Sequence, residues 1–203
     1  MNFPNEFKDI VINYNNKNFN EALKLLNNLP KKKEFEKFKI KLYASIYFLT
    51  GKWKQSLTYH NEIVAENEAS FEDYNNLAVS LFNLGRITEA TTYFKKCIET
   101  NNKVELPYQN LGTSYLHLGN YEQAIECFTN ALFLNNRNNN CKIMMIDILN
   151  YIVPKKNQNN HLLKLNEKIL NHFSGEKFYE IPKYEVIIKL IDIIKDDLSK
   201  EEH

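Results

Sequence analysis

Apolar residues recur along this chain at spacings of three and four, the signature of helices with one buried stripe rather than of strands. Three stretches share one pattern: Gly51-Lys52-Trp53-Lys54-Gln55-Ser56, Gly85-Arg86-Ile87-Thr88-Glu89-Ala90 and Gly119-Asn120-Tyr121-Glu122-Gln123-Ala124. Each reads glycine, a polar residue, a bulky apolar residue, two more residues and then a small one. The glycines are 34 residues apart each time, and one further step back reaches Lys17-Asn18-Phe19-Asn20-Glu21-Ala22, with lysine in the glycine's place. Four registers without an insertion mark a tandem repeat.

The rest of the period agrees. Eight residues before each glycine stands a large apolar residue, Tyr43, Leu77 or Leu111, followed by a small one, Ala44, Ala78 or Gly112. Four before the glycine comes Tyr47, Leu81 or Tyr115; nine after it comes His60, Phe94 or Phe128; twelve after it comes Ile63, Cys97 or Ala131. The glycine falls where one helix ends and a tight turn begins, a place that uses its freedom at positive φ. The small residue five positions later lets the second helix approach the first closely. Each unit is therefore predicted to be two antiparallel helices, and the chain an all-α protein.

This pattern resembles the tetratricopeptide repeat, a 34-residue helix–turn–helix unit whose arrays form right-handed superhelices. The resemblance covers about residues 3–136 and divides 1–138 into four repeats, 3–36 (degenerate), 37–70, 71–104 and 105–138. It is fullest in the last unit, with Tyr108, Leu111, Gly112, Tyr115, Gly119, Tyr121, Ala124, Phe128 and Ala131 in place. There are departures. Glu34, Glu68, Asn102 and Asn136 stand where the family usually has a proline near the repeat's end. Asp9 and Asn13 occupy apolar core positions of the first unit, and His60 an aromatic position of the second. The resemblance implies an α-solenoid whose first unit is a frayed N-terminal cap.

After Asn140 the register fails, with Val153-Pro154 where the next glycine would fall. Apolar spacing still predicts a helix over about 139–152, from Met144, Met145, Ile148, Leu149 and Ile152, and another over about 158–173. Residues 139–203 thus read as a degenerate fifth helix pair, a break at Ser174-Gly175-Glu176, and a last helix from Pro182 to about Ser199. Its residues Ile187, Leu190, Ile191, Ile194 and Leu198 form one stripe, expected to cap the open end of the stack. Self-association through this Ile187–Leu198 helix is the other use of such a stripe.

Composition narrows the partners. With 26 Lys+Arg against 25 Asp+Glu the formal charge is +1, which supplies no general attraction to nucleic acid or an anionic membrane, so neither is expected as a partner. Only 5 Gly and 5 Pro argue against a turn-dense β fold. There is no charge-free apolar run of about 18 residues and no basic start followed by an apolar core, so no membrane span or signal peptide is expected. Three cysteines, Cys97, Cys127 and Cys141, with no CxxC pair, fit a reducing compartment, and the expectation is a cytoplasmic protein.

No catalytic constellation emerges. His60, His117, His161, His172 and His203 show neither an HExxH motif nor paired metal-ligand spacing. His161 and His172 would stand about 16 Å apart on one helix, too far for a shared metal. Cys97 and Cys127 lie on interior stripes, where cysteine acts as a small hydrophobe. The chain is expected to be no enzyme and to need neither metal nor cofactor. The run Lys31-Lys32-Lys33, continued by Lys37, Lys39 and Lys41 and interleaved with Glu34, Glu36, Phe35 and Phe38, reads as a solvated connector. The sharper use, a patch for an anionic partner, is the weaker reading.

The resemblance also locates a binding face. In stacks of this family the first helix of each pair lines a concave groove, and an asparagine there can form a ladder to peptide backbone. Asn76 and Asn110 hold the matching places, in Tyr74-Asn75-Asn76-Leu77-Ala78 and Tyr108-Gln109-Asn110-Leu111-Gly112, while Leu42 and Met144 hold the flanking equivalents. A carboxamide offers donor and acceptor together, and so bonds a backbone without reading its side chains. In a chain with 30 Asn, composition alone accounts for two matching asparagines, so the pair is a candidate and no more. One subfamily grips a C-terminal carboxylate with two Lys, two Asn and one Arg; the matching places here hold Lys41, Ser45, Asn76, Leu106 and Asn110, which disfavours that clamp. Further groove candidates are Asn75, Val79 and Asn83 in one unit, and Gln109, Thr113 and His117 in the next. The function expected is that of a non-enzymatic adaptor or scaffold binding a peptide or protein segment in that groove. Two alternatives stay open: the recognition module of a larger transferase or oxygenase, and a small cytoplasmic secretion-type chaperone.

Overall fold

The computed structural model describes residues 4–66, 69–135 and 137–152; the helices predicted over about 158–173 and from Pro182 lie outside the described residues. After a 3-10 turn at Asn5–Phe7, the described residues form α1 (Lys8–Asn15), α2 (Phe19–Asn28), α3 (Lys33–Leu49), α4 (Trp53–Ala65), α5 (Phe71–Asn83), α6 (Ile87–Thr100), α7 (Glu105–His117), α8 (Tyr121–Leu134) and α9 (Asn139–Ile152). There is no strand among them. The chain divides into two compact units, Met1–Thr100 and Asn101–His203. In the first, α1 packs on α2, α3 on α4, α4 on α5 and α5 on α6; in the second, α7 packs on α8 and α8 on α9.

The turn inside each pair has one physical basis. Gly51, Gly85 and Gly119 hold φ of 68°, 77° and 73°, which brings the next N–H back onto the last helical turn. Lys52 donates to the Tyr47 carbonyl, Arg86 to Leu81 and Asn120 to Tyr115, each at 2.9 Å. The glycine's own N–H donates to Phe48, Phe82 or Leu116. This double bond pattern is the Schellman closure, which satisfies carbonyls that a helix end otherwise leaves bare. Lys17 makes the same closure at φ 60°, with Asn18 donating to Asn13 at 2.8 Å and Lys17 to Tyr14 at 3.0 Å.

Past each turn the second helix presses on the first through a side chain small enough to allow contact. Ala22, Ser56, Ala90 and Ala124 are all fully buried. One turn further, Leu26, His60, Phe94 and Phe128 fill the space between the two helices. At Gly112 the approach leaves no room for a side chain: a Cβ there would lie 2.7 Å from the Phe128 ring.

In the first unit a core joins Phe7, Ile10, Ala22, Leu26, Phe35, Leu42, Tyr43 and Ile46. The N-terminal pair is therefore packed, not frayed as expected. Phe7, ahead of the repeating stripe, is fully buried and meets Phe35 edge-on at 5.3 Å between ring centres, with Phe38 at 5.7 Å. Its burial supplies the apolar area that Asp9 and Asn13 do not, while Asn13 spends its amide on the Asp9 carbonyl at 2.9 Å. In the second unit Ala124, Ile125, Phe128, Ala131, Leu132, Cys141, Met145 and Ile148 form the core, with Tyr108, Tyr115 and Met144 against it.

Candidate functional site on the first helices

Helix α5 begins with a closed cap. Ser70 Oγ accepts from the Asp73 N–H at 3.3 Å, and the Asp73 carboxylate accepts from the Ser70 N–H and hydroxyl, each at 2.9 Å. This reciprocal capping box fixes where the helix starts, and hence which residues share a face. Leu77, Ala78 and Leu81 go into the core, leaving Asn76 and Val79 half-buried and Asn83 exposed. Asn75 is only 8% exposed and reaches Asn76 Oδ1 at 3.5 Å, so its side chain supports its neighbour from inside. Asn83 turns its amide onto the Val79 carbonyl at 2.8 Å.

Helix α7 of the second unit has no such cap, with Val104 at its N-cap, but places its candidates comparably. Gln109, Asn110 and Thr113 are half-buried and His117 is exposed at the helix's end. The Ser114 hydroxyl donates to the Asn110 carbonyl at 2.8 Å, as the Ser80 hydroxyl does to the Asn76 carbonyl at the same distance. Both asparagines therefore sit on a helical turn pinned from within by a buried serine. Gln109 Oε1 accepts from Asn138 Nδ2 at 2.7 Å, ahead of α9, and Thr113 donates to the Gln109 carbonyl and towards Met144 Sδ. Those two residues are committed to holding α9 as well as to any ligand.

On α3, Lys41 and Ser45 are half-buried, and Lys41 lines a shallow cleft with Lys37, Ile40, Ile63 and Glu66. The neighbouring lysine run is partly neutralised: Lys32 lies 4.0 Å from Glu6 and 3.7 Å from Glu34, and Lys39 lies 4.0 Å from Glu36. Phe35 belongs to the core and Phe38 packs against it, so neither is left to stack on a nucleic-acid base.

Nucleophiles are no better placed. Burial, with a smaller push from Glu72, drives the Cys97 thiol up to about 12, and its Sγ is bonded to the Phe71 carbonyl at 3.3 Å. Cys141 is driven to about 12 by burial and by Glu105. Thiols so poor in thiolate do not attack. Among the described residues no group of three or more His, Cys, Asp or Glu is placed to hold a metal. No described helix is long and apolar enough to cross a membrane.

Two clusters were not anticipated from the sequence. Tyr43, Tyr47 and Tyr59 stack with ring centres 5.0 to 6.1 Å apart, and Tyr43 donates to Asn27 at 2.6 Å. Ser56 and His60 form a buried polar pair that reaches Ser80 on the next helix. The signal for the second lay in the pattern, because a serine in the small-residue slot precedes by one turn a histidine in the aromatic slot.

Antiparallel helix pairs, closed by positive-φ turns and packed in sequence order within each unit, define an all-α helical-repeat protein. Residues 74–105 and 107–138 each match the tetratricopeptide repeat family. Those two segments are tetratricopeptide repeats. Solved structures share the fold at low identity. YrrB, described as a tetratricopeptide protein with an unusual peptide-binding site, is 12% identical, with 85% of this chain and 87% of that chain covered and a TM-score of 0.65. MamA is 16% identical, with 85% and 96% covered and a TM-score of 0.66. MamA from Desulfovibrio magneticus RS-1, residues 41 to the end, is 14% identical, with 83% and 96% covered and a TM-score of 0.68. No curated protein matches the chain in sequence. At such identities the likeness is one of fold.

Proposed function

We propose that the chain is a non-enzymatic adaptor that binds a peptide or protein segment through the first helices of its repeats. Asn76 on α5 and Asn110 on α7 are the main polar contacts, with Val79 and Asn83 beside the first and Thr113 beside the second. The observation that carries this reading is the shared build of the two asparagines. Each is half-buried on a first helix, each has its carbonyl bonded by a buried serine at 2.8 Å, and each belongs to a turn whose other side is core. The backbone that carries each asparagine is thus ordered before a ligand arrives, and only the side chain has freedom left to lose.

A carboxamide can donate to a peptide carbonyl and accept from a peptide N–H, which suits recognition of backbone over sequence. Two such contacts contribute about 1–3 kcal/mol together, so shape and apolar contact supply the remainder of any useful affinity. Lys41 stands at the edge of this reading, as a cation for an acidic residue of the ligand.

The test is affinity capture from source lysate with the full chain beside Asn76→Ala/Asn110→Ala, read by quantitative mass spectrometry. A partner held by the parent and depleted about 5- to 150-fold by the double variant is expected, from the loss of about 1–3 kcal/mol. A partner held equally by both would overturn the assignment of these two residues.

A further inference from the structure

His60 occupies the slot that Phe94 and Phe128 fill in later repeats, and like them it is almost wholly buried. Its Nδ1 lies 2.9 Å from the Ser56 carbonyl oxygen and 3.2 Å from Ser56 Oγ, one turn earlier on α4. Ser56 Oγ lies 2.9 Å from Ser80 Oγ on α5, and the Ser80 hydroxyl donates to the Asn76 carbonyl at 2.8 Å. The protons can be placed by elimination. Ser80 gives its proton to Asn76, so Ser56 donates to Ser80, and the Nδ1 proton goes to the Ser56 carbonyl. Ser56 is thus engaged twice, its carbonyl by the imidazole and its hydroxyl by Ser80, whose own proton goes to the backbone of α5.

Protonation would add a hydrogen at Nε2 and leave the Nδ1–H bond to Ser56 in place. What weighs against the charged form is burial, with His60 1% exposed. On α3 the Phe48 ring lies 6.3 Å from the imidazole between centres and is inclined to it at 76°. Helix α4 offers Ser56, already in use. Helix α5 contributes Asp73 at longer range, and its carboxylate is engaged by the Ser70 N–H and hydroxyl. Burial pushes His60 below its ordinary value of 6.5, outweighing the opposing pull of the Ser56 carbonyl and of Asp73.

We propose that Ser56, His60 and Ser80 form an acid-sensitive latch between α4 and α5, closed by the neutral imidazole and opened when His60 takes up one proton and moves into water. The corresponding pairs of the next two repeats, Ala90 with Phe94 and Ala124 with Phe128, hold no titratable group, so the device is confined to one seam. The sign follows from linkage. The closed form binds the proton less well than an exposed imidazole does, so its stability is full above 6.5 and falls as pH drops through the window beneath it. The latch stands apart from the adaptor reading, because it operates in the protein without a ligand.

Hydrogen exchange on the full chain tests this, with rates corrected for intrinsic pH dependence and compared between about pH 7.5 and about pH 5.5, across the imidazole range. Amides of α4 and α5 in the parent are expected to open more often in acid, by up to about tenfold per pH unit within the window. His60→Phe should abolish that rise, since the equivalent slots already hold phenylalanine. His60→Gln, neutral throughout and able to donate to the Ser56 carbonyl, serves the same purpose if the phenylalanine variant packs poorly. Equal acid opening in the parent and in His60→Gln would overturn the latch, as would a parent with no acid response in α4 and α5.

Discussion

Lys17 holds φ at 60°, the conformation that Gly51, Gly85 and Gly119 hold without strain. A Cβ in that region costs about 1–2 kcal/mol, part of which a glycine gives back through a more flexible unfolded chain. Lys17→Gly is therefore expected to raise the free energy of urea unfolding by about 0.5–1 kcal/mol. The reverse change at Gly85, where an added Cβ would meet nothing within 4 Å, should lower it by about 1 kcal/mol through backbone strain alone. Destabilisation by Lys17→Gly, or a neutral Gly85→Ala, would contradict the turn as the reason for these residues. Both positions were legible in the sequence, because a turn that needs one backbone angle leaves one residue type as its trace. Asn75 was not. It sits one residue from Asn76 in an equally polar context, and only the phase of the helix against its core decides that Asn75 goes in and Asn76 stays half-buried.

For the elements, the repeat stripe placed α3 to α8 in pairs, and apolar spacing alone placed α9, which spans Asn139–Ile152. The N-terminal pair was harder to read. A template stepped back from Lys17 puts Asp9 and Asn13 on the inner face and suggests a loose end, but the chain buries Phe7 and Ile10 instead. Phe7 lies in the 3-10 turn ahead of α1 and off the 34-residue template, although its spacing to Ile10, Val11 and Tyr14 is helical, so the template hid a stripe that local periodicity carried. It should act as the plug of the first unit. Phe7→Ala is expected to cost about 3–5 kcal/mol and to expose the amides of α1 and α2 to exchange before those of α5 and α6. A loss under about 1 kcal/mol, with α1 and α2 still protected, would mean that the pair is held by other contacts. The link from Ser56 to Ser80 escaped the sequence for a related reason. The two serines are 24 residues apart, a spacing that belongs to the packing of α4 on α5 and not to the repeat.

For the whole molecule, the family is carried by residues 74–138, where both repeats match, and the solved structures extend the likeness in fold over more than four-fifths of the chain. In the adaptor reading proposed above, the side chains on the first helices set what the fold does. On that reading the contacts on α5 and α7 are Asn76, Val79, Asn83, Asn110 and Thr113, all uncharged, and the ligand is read through its backbone. The near-zero formal charge removes bulk electrostatics as a rival explanation, so association should change little with salt. The most direct measurement is hydrogen exchange on the full chain with and without its captured partner. The account predicts new protection in α5 around Asn76 and in α7 around Asn110, with α6 and α8 unchanged. Protection confined to α6 and α8, the second helices of those repeats, would contradict it.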